Sequence, residues 1–165
     1  MKRGADRYAF WRFSLMVYAR PGIAPALLRL QDRAGHNVNL LLFALCLAVR
    51  GQALGAGGLA RATAAIASLD GKVVRELRRL RRALNGDSDP DIEAMRRRLL
   101  VLELAAERRV QARLADIAAA GRKAVARRAL LAQANLRLIL GADFSTPETA
   151  VILQAVADPL PEGAP

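Results

Sequence analysis

Residues 40–49 form an uninterrupted run of ten apolar side chains, and this run limits the folds open to the chain more than any other feature. A helix through it is apolar on nearly every side, so other parts of the protein must cover it. The run is too short to cross a membrane, which takes about 20 apolar residues. We therefore expect a helix buried at the centre of a folded domain.

The rest of the chain disfavours a sheet. Hydrophobic residues make up 53% of the 165 residues but aromatic residues only 4%, so the apolar content is mostly Ala and Leu. A chain poor in aromatic and β-branched residues is a poor strand former. Apolar residues also recur at spacings of three and four, as one face of a helix requires. We predict an all-α fold, a compact multi-helix domain with a long helical hairpin in its C-terminal half.

Turn-forming residues divide this helical pattern into segments. We predict one helical domain over 1–158, with an N-terminal unit over 7–54, a basic long-helix region over 59–140 and a frayed tail over 159–165. Residues 90–140 are expected to pack as a hairpin or to extend from the core. If the helix continues through Gly121, the two arms become one long rod. The sequence leaves these alternatives open.

The chain has few residues that could hold a metal ion or form a disulfide. Cys46 and His36 are its only Cys and His, which excludes an internal disulfide and argues against a zinc site. Cys46 lies in the apolar run and is expected to be a core residue. Glu103 and Glu107 stand four residues apart, but without Glu-x-x-His motifs a salt-bridged face is a better interpretation than a di-iron site. We expect no cofactor and no catalytic residue.

The start of the chain does not have the pattern of a signal peptide. Asp6, Arg7 and Arg12 interrupt its apolar residues, and no small-residue cleavage site comes after them. The lone thiol is compatible with a reducing compartment. We expect a cytoplasmic protein.

Basic residues outnumber acidic ones by 26 to 15, and 17 of the 26 lie between Lys72 and Arg137. A helix over 72–84 places its apolar residues on one face, and these are Val74, Leu77, Leu80 and Leu84. The other face is a basic stripe formed by Lys72, Arg75, Arg78, Arg79 and Arg82. Such a stripe can bind a nucleic acid backbone, an anionic membrane surface or an acidic protein. The alternative is a solvated face whose arginines reflect composition alone. Because Leu- and Ala-rich hairpins often dimerise, a homodimer is a further expectation.

A polar segment at residues 31–39 separates two apolar helices. Together with two aromatic residues of the first helix, its side chains define a candidate pocket, formed by Trp11, Tyr18, Gln31, Asp32, Asn37 and Asn39. Polar groups beside a buried helix need partners, so these residues can instead act as caps and ties between helices. A pocket requires Asp32 and Asn39 to face a common cavity.

Several segments of the chain resemble a known family. These segments are WRFSL at 11–15, VYARPGI at 17–23, LQD at 30–32 and NVNLLLF at 37–43. They are similar to the proteobacterial family called domain of unknown function 2390, over residues 8–114. The resemblance implies a small helical bacterial cytoplasmic protein with no assigned activity, and it brings no catalytic residues.

These patterns support two functional hypotheses. The first is a non-catalytic binding or adaptor protein that uses the basic stripe as its interaction face. The alternative is a small-ligand-binding protein or an enzyme that uses the 31–39 turn beside Trp11 and Tyr18. The hypotheses differ in whether the ligand lies on an exposed helix face or in a cavity.

Overall fold

The computed structural model describes the backbone of residues 3–119 and 124–157, and the regular elements in these ranges are all helical. The helices are α1 Arg3–Tyr18, α2 Ile23–Ala34, α3 Val38–Val49, α4 Ala56–Leu69, α5 Arg75–Ala83, α6 Pro90–Ala119, α7 Arg128–Leu140 and α8 Pro147–Ala157. A π-helical turn, Asp70–Val74, joins α4 to α5, and a 3-10 turn, Gly141–Ser145, joins α7 to α8. The all-α prediction is confirmed. The predicted break at Gly121 and the tail at 159–165 lie outside the described residues.

The helix α3 lies at the centre of the fold, as its apolar run predicts. Its residues 39–48 are all buried, and α1, α2, α6 and α7 pack around it. Asn37 begins the helix, because its side chain accepts hydrogen bonds from the backbone N–H groups of Asn39 (2.9 Å) and Leu40 (3.3 Å). Gly35 ends α2 with a φ of 72°, a left-handed conformation that favours glycine. The two caps fix the path of the polar segment between the helices.

The helical hairpin of the C-terminal half is formed by α7 and α8, over residues 128–157. We placed its arms over 90–140, but α6 packs along α1, α4 and α5, whereas α7 packs on α3. Residues 124–127 are not helical, which excludes one rod over 90–140. The helix α7 takes this position because its buried apolar residues cover a side of α3 that has no polar group to present to water.

A buried asparagine fastens α7 to α3 and to the segment after it. Asn135 donates through Nδ2 to the carbonyls of Ala44 (3.0 Å) and Gln52 (3.1 Å). Its Oδ1 accepts from the backbone N–H of Leu54 at 2.7 Å. One amide that is 1% exposed thereby satisfies three buried backbone groups.

After the π-helical turn, the inner side of α5 holds two arginines as well as a leucine. The inward side of α5 contains Leu77, Arg78 and Arg81, all partly buried. We predicted Leu80 on the apolar face, and this was wrong, since Leu80 is 43% exposed. A π turn adds one residue to a helical turn and so rotates the helix beyond it. The two arginines can occupy the inner side because α6 presents carboxylates to them.

We expect Asn135→Ala to lower the free energy of unfolding by about 3 kcal/mol, because three buried backbone groups lose their partner. Gln133 lies on the exposed side of the same helix. Gln133→Ala is therefore the control, with an expected change below about 0.5 kcal/mol. Urea denaturation followed by circular dichroism measures both. Equal losses in the two variants would show that the Asn135 amide does not fasten α7 to the core.

Candidate binding site

Arg78 connects three parts of the fold through one guanidinium group. On α6 it donates to Glu103 (Nε to Oε1, 3.0 Å) and to Glu107 (Nη2 to Oε1, 2.7 Å). It also donates to Gln31 of α2 (Nη1 to Oε1, 2.6 Å). Its side chain is only 18% exposed, so these interactions are screened less than surface ion pairs are. Arg78 therefore fixes the distance between α5, α6 and the polar segment.

The Glu103 side chain is less exposed to solvent than that of Glu107 (5% against 21%), and two arginines bind it. Arg81 donates to Glu103 Oε2 at 2.6 Å, while Arg78 occupies Oε1. Burial raises the pKa of Glu103, but the hydrogen bonds from Arg81 and Arg78 outweigh it and bring the pKa below its usual range. Glu103 is therefore ionised at neutral pH and orients both guanidinium groups.

Glu107, one helical turn further along α6, is shifted in the opposite direction. Burial raises the pKa of Glu107, and the positive charge of Arg78 offsets this only in part because the negative charge of Glu103 opposes it. Burial, together with the smaller effect of the Glu107 charge, also raises the pKa of Tyr18. The Tyr18 hydroxyl therefore stays protonated at neutral pH and is available as a hydrogen-bond donor.

The arginines of the basic stripe face the polar turn across a cleft of about 330 Å³. The residues that line this cleft are Gln31, Asp32, Gly35, His36, Asn37, Val38, Asn39, Asp70, Arg75, Arg78, Arg79 and Arg82. Its charged lining consists of four arginines and two carboxylates, while Glu76, Glu103 and Glu107 pair with Arg79 and Arg78 from outside the lining. Guanidinium groups are therefore the most numerous charged groups on the surface of the cleft.

Apart from Arg78, the arginines of the cleft form ion pairs that are largely open to water. These pairs are Arg75–Asp70 (2.9 Å), Arg79–Glu76 (3.0 Å) and Arg82–Asp32 (3.0 Å). Their arginine side chains are 62%, 66% and 48% exposed, respectively. Pairs in which both side chains are exposed stabilise a protein by about 0–1 kcal/mol each. An anion can therefore displace Glu76 from Arg79 and Asp32 from Arg82 at small cost. Asp70 is only 8% exposed and keeps Arg75 as its partner, so an anion reaches the other N–H groups of Arg75.

A second cavity, a groove of about 280 Å³ between α1, α5 and α6, adjoins the cleft. Its apolar lining includes Trp11, Leu15, Leu28, Leu42, Leu100 and Leu104. Its charged lining consists of Arg78, Arg81, Arg82, Glu103 and Glu107. The groove thus has an apolar side and a charged side. On the charged side, each arginine and each glutamate already forms an ion pair within the protein.

A row of buried hydrogen bonds lies at one end of the groove. Ser14 donates to Gln111 Oε1 at 2.9 Å, and Gln111 Nε2 donates to Asn39 Oδ1 at 2.9 Å. These three side chains belong to α1, α6 and α3, and each is at most 4% exposed. Because the row links side chains of three helices, it ties those helices in a fixed arrangement around the groove.

The structure brings together the two sites that the sequence suggested separately. Of the predicted pocket residues, Trp11 and Tyr18 line the groove, while Asp32 and Asn37 line the cleft. Gln31 and Asn39 line both cavities. Asp32 and Asn39 therefore line a common cavity. Of the predicted basic stripe, the four arginines line the cleft, and Lys72 lies on the exposed side of the π-helical turn, outside the cleft lining.

Sequence reasoning did not place Arg81, Glu107 and Gln111 in a site. A signal for two of them was present, since Glu103, Glu107 and Gln111 recur every fourth residue and form a polar row along one face of α6. Arg81 also had a signal, because it lies four residues after Leu77 and three before Leu84, on the apolar side of the helix and away from Arg75, Arg79 and Arg82.

Cys46 has the core role that its position predicts. It is 1% exposed, and burial raises the pKa of its thiol to about 12. Among the residues that the structure describes, no group of three His, Cys, Asp or Glu side chains is arranged to hold a metal ion. No helix within the described ranges is both long and apolar enough to span a membrane.

The sequence comparisons place the chain in a family. Residues 9–114 match the family described as "Protein of unknown function (DUF2390)", and the chain belongs to that family. The matched segment contains every residue that lines the cleft or the groove, while α7 and α8 lie outside it. No curated protein and no solved structure matches the chain.

We expect Glu103→Gln and Glu107→Gln to change stability with opposite pH dependence. The lowered pKa of Glu103 contributes stability that is present at neutral pH and lost as pH falls through the folded-state pKa. The raised pKa of Glu107 contributes stability that is present at acid pH and lost as pH rises through the folded-state pKa. Relative to the unmutated protein, Glu103→Gln is therefore least stable near neutral pH, whereas Glu107→Gln is relatively more stable there than at about pH 4.

Urea denaturation at several pH values between these limits measures the difference. Each variant serves as the control for the other, because both exchange one carboxylate for an amide on the same face of α6. Parallel stability curves for the two variants would contradict the opposite shifts.

Proposed function

We propose that this protein is a non-catalytic binding protein that takes a small anionic ligand in the cleft between α5 and the 31–39 turn. One observation supports this most directly: the four arginines of the basic stripe line the same cavity as Gln31, Asp32, Asn37 and Asn39. The two hypotheses from the sequence thereby become one site. The basic stripe supplies charge, and the polar turn supplies hydrogen-bonding groups.

The chemistry of the lining suits a phosphate or carboxylate group. A guanidinium presents N–H groups in a planar fork that matches two oxygens of such an anion. Arg75 and Arg79 extend into water with single carboxylate partners, so their remaining donors can bind a ligand. The amide side chains of Gln31 and Asn37 add neutral polar groups that can select among anions.

Binding without catalysis is favoured by what the cleft contains. Most of its lining side chains carry guanidinium or amide groups, which bind and orient rather than attack. The acid–base groups of the lining already have partners in the protein. His36 Nε2 lies 2.9 Å from Asp143 Oδ2, and Asp32 and Asp70 pair with Arg82 and Arg75. The thiol of Cys46 lies in the core and is protonated at physiological pH. The basic character of the cleft thus supports recognition of a charged ligand.

A small ligand accounts for the charges better than an extended polyanion does. Outside the cleft, several arginines engage other groups of the protein. These contacts are Arg108 over the Trp11 ring (5.1 Å), Arg137 over the Phe144 ring (4.5 Å) and Arg113 with the Ala65 carbonyl (3.1 Å). A nucleic acid backbone needs a row of available cations along one face. The concave cleft instead gathers its cations around one point.

Inorganic phosphate and pyrophosphate are expected to bind the full chain and raise its melting temperature, since a ligand that binds only the folded state stabilises it. Arg75→Gln and Arg79→Gln should each weaken pyrophosphate binding about tenfold, because each removes a charge-assisted hydrogen bond. Isothermal titration calorimetry at low salt measures the affinities.

The control is Arg98→Gln, which removes an equal charge from an exposed position of α6 outside the cleft. It should leave the affinity within about twofold of the unmutated protein if the effect is local. Equal losses in all three variants would indicate binding to net charge alone. Binding of DNA, RNA or anionic vesicles without binding of pyrophosphate would favour an adaptor surface over the cleft.

A further inference from the structure

The cleft and the groove are neighbours, and this constrains the shape of a ligand. Gln31, Val38, Asn39, Arg78 and Arg82 line both cavities. The hydrogen bond from Arg78 Nη1 to Gln31 Oε1 (2.6 Å) joins two of these shared residues. A molecule whose anionic group lies in the cleft can therefore reach the groove by passing over the shared side chains.

The groove is suited to hydrocarbon. Leu15, Leu28 and Leu104, which form part of its wall, are 52%, 39% and 43% exposed. These side chains are in contact with water. An apolar ligand in the groove would remove them from water, which is favourable in free energy. Trp11 adds a flat aromatic surface to the same wall.

The charged residues of the groove do not call for a charged ligand. Glu103 accepts hydrogen bonds from Arg78 and Arg81, and Glu107 accepts one from Arg78. Their charges are compensated within the protein. The available positive charge therefore lies in the cleft, while the groove contributes exposed apolar surface.

We infer that the ligand is a single-chain amphiphile with an anionic head. The head occupies the cleft beside Arg75 and Arg79, and the hydrocarbon chain lies in the groove against Trp11 and Leu104. This inference rests on the proposed function, because the hydrocarbon chain is positioned in the groove only if the cleft binds the anionic head.

The test uses n-alkyl phosphates of increasing chain length, below their micelle-forming concentrations. Trp11 is the single tryptophan of the chain and lines the groove, so its fluorescence reports on occupancy there. We expect the affinity to rise about fourfold for each added methylene, the factor that corresponds to about 0.8 kcal/mol per buried CH₂. An alkyl glucoside of the same chain length should bind at least about tenfold more weakly, because it lacks the charge.

Leu104→Gln should reduce the increase in affinity for each added methylene. It should leave the affinity for inorganic phosphate, measured by calorimetry, unchanged. Leu102→Gln is the matched control, since Leu102 is 55% exposed on the same helix and lies outside the groove lining. It should preserve the dependence on chain length.

The outcomes separate the two proposals. If phosphate binds but affinity does not depend on chain length, the amphiphile is wrong and the anion cleft stands. If the glucoside binds as tightly as the alkyl phosphate, the groove accepts hydrocarbon but the anionic head is not recognised, which overturns both. Binding to anionic phospholipid vesicles without binding to monomeric alkyl phosphates would also overturn the inference, because it would indicate a membrane surface.

Discussion

The burial of α3 is the constraint on which the rest of the structure depends. A helix that is apolar on every side cannot lie at the surface, so α1, α2, α6 and α7 must enclose it. Enclosure also brings polar groups close to the core. Asn37 caps the helix, and Asn135 satisfies backbone groups around its C-terminal end. The hydrophobic core and the buried polar ties are therefore parts of one arrangement.

The position of α6 results from this constraint and creates the site. The same helix that covers α3 carries the polar row of Glu103, Glu107 and Gln111, which is too close to the core to be solvated freely. Buried carboxylates require partners. The arginines Arg78 and Arg81 provide them from α5, and Asn39 provides one for Gln111. Pairing inside the cluster leaves the outer arginines of α5 to give the cleft its positive charge.

Part of this site could be read from the sequence. The side chains of the polar turn and the arginines of α5 were identified by residue type and helical spacing. Their convergence was not, because Gln31 and Arg78 are 47 residues apart and meet only when α2 and α5 both pack near α6. Leu80 and Arg81 illustrate the same limit within one helix. The apolar pattern of the sequence places Leu80 inside, whereas the carboxylates of α6 favour Arg81 there.

The sequence by itself determined the helical class and the burial of the apolar run through residue 48, and it limited the cap of α3 to Asn37 or Asn39, since these depend on local spacing and local hydrogen bonds. The tertiary structure decided which helices are neighbours, and hence that α7 pairs with α8 and that α5 faces the 31–39 turn across a cleft. The physical reason is that helical periodicity defines the apolar side of each helix but not the helix that will cover it. Several helices of this chain carry similar Leu- and Ala-rich faces. Only packing in three dimensions selects among them.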